Sequence, residues 1–359
     1  MNFPRILFVP VSGPSGMGEF ARARSLADAL QARWPGVEIH FLLHRDAPYA
    51  NGFHHAMTAL PASPTLCTDE VVRTIEQFRP QVVVFDNAGR TDALRAARRI
   101  GAKVVYVSSR GRQRYKAFRM HWMRLLDDHW ISYPALVAGE LSVLERLKLR
   151  LLGRPQVRFL DAVLAPADAR AADELLAGFG TPDLLVVPGG GSQFRDASIT
   201  PDDFARWAKI VAVQGFRVVF IAGPAFYDTH ESLSEVRLLR GISGGTLRAL
   251  LERTKLCLVN GGDTLLQGLT LSKACVAVPI AGDQAARIAR CASLGTVAAP
   301  AAAASSGVEP AVTCLELLHD EGLRIELEAR VKAVGFEDGL TALIERLGSH
   351  LGLASINSR

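Results

Sequence analysis

LVNGGDTLLQGLTLSKACVAVPIAGDQAARIARCASLG, residues 258–295, holds two short apolar runs, each followed by a helix-forming pattern. The first run stops at Gly261 and Gly262, and Asp263 and Thr264 open the next segment. Gln267 lies one helical turn beyond Thr264, on the same face. The second run, KACVAVP (273–279), stops at Pro279, and Asp283 and Gln284 stand at a second strand-to-helix turn. Runs this short and apolar, alternating with helical periodicity, predict parallel strands covered on both faces.

The same rhythm extends outward in both directions. Upstream lie LLVVPGGG (184–191), FRVVFIAGP (216–224) and KLCLVNGG (255–262), each ending in Gly or Pro. The first half repeats the pattern with RILFVPV (5–11), VEIHFLL (37–43), QVVVFD (81–86), KVVYVSS (103–109), DHWISYP (128–134) and DAVLAP (161–166). Strands alternating with helices indicate βαβ units. The expected fold class is α/β, with two Rossmann-like doubly wound domains facing across a cleft. We place an N-terminal domain at 1–170, with an insert at 110–158, a C-terminal domain at 180–340, and a closing helix and tail at 341–359. A join is expected near 167–182.

Composition narrows the function classes. The chain has 359 residues, 49% of them hydrophobic and 21% charged, enough for two ordinary cores. A net charge of +5 suits anionic small ligands or an anionic membrane surface, and is far from the cationic density of a dedicated nucleic-acid binder. The five cysteines (67, 257, 275, 291 and 314) have no CxxC spacing and read as reduced core residues, not as a metal site. No uncharged stretch has transmembrane length. The expected setting is the cytoplasm, at or near the inner face of the plasma membrane.

The turn expected to matter most in the first half is GPSGMGEF, residues 13–20, between RILFVPVS and a helical pattern. Glycines between a strand and a helix bare backbone N–H groups at a helix N-terminus, where they and the helix dipole favour an anion. Gly16, Met17 and Gly18 are candidate acceptor-binding residues, and Glu19 is a candidate base or simply an acid in the first helical turn. Asp86, closing QVVVFD, is the second catalytic candidate, to orient the base or hold a hydroxyl. Its plainer reading is a cap for TDALRAARR. In the second half Gly189, Gly190 and Gly191 with Ser192 and Gln193 make a phosphate cradle, or alternatively a plain loop. Gly223 closes the neighbouring run at the same sheet edge. His44, His54 and His55 are spare bases, read as surface or loop histidines. Asp127 and Asp128 read as a solvated acidic pair.

The 258–295 stretch resembles the donor-binding half of glycosyltransferases of the GT-B fold, in its glycine pair, Thr264, further strand ending in Pro279, and D-Q pair Asp283-Gln284. In spacing it is similar to the N-acetylglucosaminyltransferase that completes the lipid-linked peptidoglycan precursor. It is also similar to the nucleotide-sugar hydrolase of pseudaminic acid biosynthesis, whose first loop reads GMGH where this chain has Gly16-Met17-Gly18-Glu19. The resemblance implies that Gly189–Gly191, Ser192 and Thr264 surround the diphosphate of a nucleotide-sugar, UDP favoured, with Gln193, Gly223, Gly261, Gly262 and Asp263 as further donor-binding residues. Gln267 would then face the ribose, and Asp283 and Gln284 the sugar hydroxyls. It also implies inverting, metal-independent transfer without a cofactor. Two positions depart from the pattern: Gln267 stands where the family has Glu, losing charge-assisted strength, and Glu19 stands where both relatives have His.

Between 103 and 161 the chain turns basic and leucine-rich: RGRQRYKAFRMHWMR, then LSVLERLKLRLLGRPQVRF. Arg110 opens this insert and is a further acceptor-side candidate. Leucines among cations favour a membrane interface over nucleic acid, or else amphipathic helices packed on the sheet with Arg in water. The expected partners are a nucleotide-diphosphate sugar, a glycan or lipid-linked acceptor, and a peripheral membrane contact through 110–158. The alternatives are a nucleotide-sugar hydrolase and a non-catalytic nucleotide-sugar-binding protein.

Overall fold

A computed structural model describes residues 3–13, 17–49, 53–189, 199–223, 226, 235–300 and 307–353, with only the backbone of 282 and 283. The chain divides into two compact units, Met1–Val163 with Gly339–Arg359, and Leu164–Asp338. The stretch 167–182, where the sequence suggests a join, therefore lies inside the second unit.

The first unit runs β1 (Arg5–Pro10), α1 (Gly18–Arg33), β2 (Glu38–His44), β3 (Ala56–Leu60), α2 (Thr68–Phe78), β4 (Val82–Asp86), α3 (Thr91–Arg99), β5 (Lys103–Ser108), α4 (Gly111–Ala117), α5 (Met120–Met123), β6 (Asp128–Ile131), α6 (Ala135–Ala138), α7 (Val143–Leu152) and β7 (Gln156–Phe159). The second runs α8 (Ala169–Leu176), β8 (Leu184–Val187), α9 (Pro201–Ala212), β9 (Val218–Ala222), β10 (Arg237–Arg240), α10 (Gly244–Arg253), β11 (Leu256–Asn260), α11 (Asp263–Thr270), β12 (Ala274–Val278), α12 (Gly282–Ser293), α13 (Glu309–His319) and α14 (Glu321–Val334). Last comes α15 (Leu340–His350), which returns to the first unit.

Both sheets are parallel throughout, in the orders β3-β2-β1-β4-β5-β6-β7 and β10-β9-β8-β11-β12. Each is doubly wound: the order reverses between β1 and β4, and again between β8 and β11. Within each unit the reversal opens a crevice beyond the carboxyl ends of the strands, where ligands of such sheets bind. Every residue of β4, β8, β11 and β12 is buried, as strands covered by helices on both faces require.

The closing helix α15 completes the first core, burying Leu340, Leu343, Ile344 and Leu347 beside Leu26 and Leu30 of α1. Gly348 makes room for the Trp34 ring, against which any Cβ there would collide. The expected strand at 161–166 is not one. Here the chain crosses between units, and its polar groups are met locally: Ala162 O accepts from Gly339 N, and Leu164 N donates to Asp338 Oδ1.

The Asp127–Asp128 pair is not solvated. Asp127 accepts from Arg98, Arg154 and the Val104 amide, each within 2.9 Å. Asp128 is 2% exposed and holds Arg346 at 2.9 Å and His350 from α15. Buried carboxylates need such cations to offset lost hydration, so these two anchor secondary structure instead of facing water.

Candidate functional site

In the first unit the crevice at the β1/β4 reversal is lined by a polar network. Asp86 closes β4 and is 2% exposed; Arg22, on α1 and 7% exposed, grips it with two hydrogen bonds, Nε to Oδ2 at 2.8 Å and an amino group to Oδ1 at 3.0 Å. Arg22 also donates to Ser109 Oγ at 3.1 Å. Asn87 follows in the left-handed region (φ 55°), which Asn tolerates because its short side chain hydrogen-bonds locally. Its Nδ2 donates to Glu19 Oε1 at 3.0 Å and to Ser109 Oγ at 2.9 Å, and its Oδ1 accepts from Ser109 N. The half-buried carboxylate of Glu19 is thus aimed by Asn87, and Asn87 by the Ser109–Arg22–Asp86 chain.

Tyr49 completes this edge. It stacks on Phe20 with centroids 4.1 Å apart, and its hydroxyl accepts from Gly13 N at 3.3 Å. Burial pushes that hydroxyl up to about 12, the Gly13 bond opposing and the nearby Glu19 carboxylate adding to the shift. It therefore stays protonated at working pH, with its own proton free to donate. Met17 caps α1 without a side-chain bond, Gly18 is the first helical residue, and Gly16 lies outside the described residues. The cap reading of Asp86 does not hold: Arg90 caps α3, and the Asp86 carboxylate is occupied by Arg22.

The basic insert sorts into two sets. Arg114 is structural, bridging Glu145 and the carbonyls of Ala138, Gly139 and Glu140; Lys148 donates to Phe118 O and Arg154 to Leu126 O. Arg110, Arg112, Arg119, Arg146, Arg150 and Arg158 are exposed. Lys116 lies at the sheet edge, donating to Gly89 O at 3.2 Å with its ammonium 4.2 Å from the Trp122 ring centroid. Burial, with Arg90, Arg119 and Arg112 nearby, pulls it down to about 8.

In the second unit the β8/β11 reversal is organised by Asn260. Its Nδ2 donates to Pro188 O at 2.7 Å and its Oδ1 accepts from Gly262 N at 2.6 Å, so one buried amide ties the loop after β8 to the turn after β11. Gly189 has φ +98° and faces that amide so closely that a Cβ would overlap it. At Gly261 a Cβ would meet Gln284 Cβ at 2.8 Å and Ile288 at 2.9 Å, so glycine lets α12 close on the turn. Gln284 is 3% exposed and accepts from Ile280 N at 2.9 Å; Arg287, behind it, donates to Gly261 O.

Gln284 thus braces the loops from within. Gly262 is the N-cap of α11, Asp263 and Thr264 sit in its first turn, and Gln267 follows one turn later. Thr264 and Gln267 are half-buried, and their side-chain polar atoms have no hydrogen-bond partner among the described residues. Gly223 directly follows β9. Gly190, Gly191, Ser192 and Gln193, and the Asp283 side chain, lie outside what is described.

Arg22, Tyr49, Asn87, Ser109, Asn260 and Arg287 were not singled out from sequence. Asn260 had a readable signal, as the polar residue closing a run just before Gly-Gly. The others act through partners far away in the chain.

No protein-family model and no curated protein sequence matches the chain. Solved structures do. UGT2 of Phytolacca americana, complexed with UDP-2-fluoro-glucose and pterostilbene, matches over 97% of this chain and 100% of its own, with TM-score 0.66 and 12% identity. The spinosyn rhamnosyltransferase SpnG matches over 96% and 100%, with TM-score 0.64 and 16% identity. The glycosyltransferase VinC, in complex with dTDP, matches over 97% and 99%, with TM-score 0.60 and 16% identity. At such identities the likeness carries architecture. Two parallel α/β domains, each reversing strand order at its own crevice, give this chain the fold of the GT-B glycosyltransferases.

Proposed function

We propose that the protein is an inverting, metal-independent glycosyltransferase, moving a sugar from a nucleotide-diphosphate sugar, UDP favoured, to an acceptor hydroxyl. The observation that carries this is the β8/β11 crevice, where Asn260 ties Pro188 O to Gly262 N beside side-chain polar atoms of Thr264 and Gln267 that have no hydrogen-bond partner among the described residues. Gly189 with the 190–193 segment, Gly223 and the α11 N-terminus are assigned to the diphosphate, Gln267 to the ribose, and Asp283 to the sugar hydroxyls. Gln284 supports them from behind. Glu19 is assigned as base: the acceptor oxygen attacks C1, the bond from C1 to the diphosphate oxygen breaks, and the acceptor proton passes to the Glu19 carboxylate. Asp86 is a positioning residue, acting through Arg22, Ser109 and Asn87.

The donor assignment is tested by thermal unfolding with UDP, dTDP, GDP and CMP and their sugars. A ligand that binds only the native state raises Tm, with about 2.7 kcal/mol of added stability at a hundredfold excess over Kd. One nucleotide is expected to give this shift, and Gln267→Ala to reduce it without lowering the ligand-free Tm. No shift with any of the four would end the transferase reading.

For the acceptor we propose a lipid-linked or cell-envelope glycan, met at an anionic membrane surface through 110–158. On α7, Val143, Leu144, Leu147 and Leu151 are 77%, 59%, 51% and 69% exposed, with exposed Arg146 and Arg150 alongside. No helix among the described residues is long and apolar enough to cross a membrane. Cations beside an exposed apolar stripe suit binding in the interface plane. The protein is expected to co-sediment with phosphatidylglycerol vesicles at low salt, and Leu147→Glu with Leu151→Glu to abolish this. Equal sedimentation of the double variant would remove the membrane contact. Arg110, Arg112, Lys116 and Arg119 are assigned to the acceptor's anionic groups.

A further inference from the structure

We propose that Asp28, His54 and His55 bind one divalent transition-metal ion, with Zn²⁺ as the natural probe. Asp28 lies on α1, and the two histidines immediately precede β3. Both imidazoles converge on one carboxylate oxygen: His55 Nε2 is 2.7 Å and His54 Nε2 3.0 Å from Asp28 Oδ1, and one ligand atom from each residue lies within 4.8 Å of the others. Arg24 approaches the other oxygen, Oδ2, at 3.5 Å. Two ring nitrogens donating to a single oxygen is an arrangement in which one cation can take the place of both protons.

Distances and environment fit this reading. Four-coordinate zinc with N and O ligands has bonds of about 2.0–2.1 Å, which puts neighbouring ligand atoms roughly 3.3 Å apart. The observed 2.7 and 3.0 Å need about 0.6 and about 0.3 Å of opening, and the two imidazole nitrogens lie within 4.8 Å of each other. That opening is available because the His54 side chain is 56% exposed, which also leaves a coordination position open to water. His55 is fixed, 4% exposed and set against Phe41 and Phe53.

Two imidazoles and a carboxylate favour zinc-like ions over calcium or magnesium. The site is separate from the proposed chemistry: Asp28 lies nine residues beyond Glu19, about 13 Å along the helix axis. A bound ion would tie the segment entering β3 to the helix whose first turn carries Glu19.

The full chain, stripped with EDTA and dialysed, is titrated with Zn²⁺ against a chromogenic chelator, and with Co²⁺ by visible absorption. One equivalent is expected to bind with Kd tighter than about 100 µM, with the Co²⁺ form showing d–d bands and Zn²⁺ raising Tm. His54→Ala, at an exposed side chain, and Asp28→Asn are each expected to weaken binding at least about tenfold. All five cysteines are buried, so metal held by unfolded thiols would survive His54→Ala. Binding weaker than that limit, or unchanged in His54→Ala, overturns the proposal.

Discussion

Arg22→Ala is expected to lower the unfolding free energy of the first unit by about 3–5 kcal/mol. The reason is the burial of its partner: Asp86 is 2% exposed, and removing the guanidinium deletes two hydrogen bonds at 2.8 and 3.0 Å. Surface pairs cost under about 1 kcal/mol to break because water takes over the stranded charge; here water has little access. The measurement is urea unfolding of single and double variants. Replacing both partners together, Arg22→Met with Asp86→Leu, is expected to restore most of the loss, since a buried pair often exchanges for apolar packing at little cost. A loss under about 1 kcal/mol in Arg22→Ala would mean that the pair is solvated, and that Asp86 is available for chemistry after all.

The same pair shows what a sequence can and cannot disclose. Strands flanked on both sides within a sheet are legible, because β1, β4, β5, β8, β9 and β11 must be apolar on both faces. Three of the four edge strands are not: β3, β7 and β10 read AMTAL, QVRF and RLLR, with exposed or half-exposed positions through most of each, whereas the edge strand β12 is fully buried and reads as an apolar run. Those three lack an apolar run because one rim meets solvent. The opposite error arose at DAVLAP, apolar because it lies at the junction of two units and not because it pairs.

At the candidate sites the glycines are legible, and Gly189 and Gly261 are places where a side chain would collide. The groups that make those turns specific were silent. Arg22 meets Asp86 across 64 positions, and Asn260 meets Pro188 across 72; no local pattern encodes either contact. His55 reads as a loop histidine because its burial comes from packing against Phe41 of β2 as well as its near neighbour Phe53.

Glu19→Gln is expected to lower kcat by about 10²–10⁴-fold, the usual contribution of a positioned general base, with KM for the donor nearly unchanged. Gln keeps the oxygen that accepts from Asn87 Nδ2 at 3.0 Å, so the network stays closed and only the capacity to take a proton is lost. Tm should therefore match the parent, and the nucleotide-induced shift should persist, separating loss of chemistry from loss of binding. Asn87→Ala removes the aim of Glu19 without removing the carboxylate, and is expected to give a smaller fall in kcat that does not add to that of Glu19→Gln, because both act on one proton transfer. If Glu19→Gln retains kcat within about threefold, a loss far below that of a missing base, Glu19 is an acid favoured by the α1 dipole and nothing more. Tyr49, held protonated and hydrogen-bonded to Gly13, would then mark this edge as an acceptor-binding surface whose base lies elsewhere.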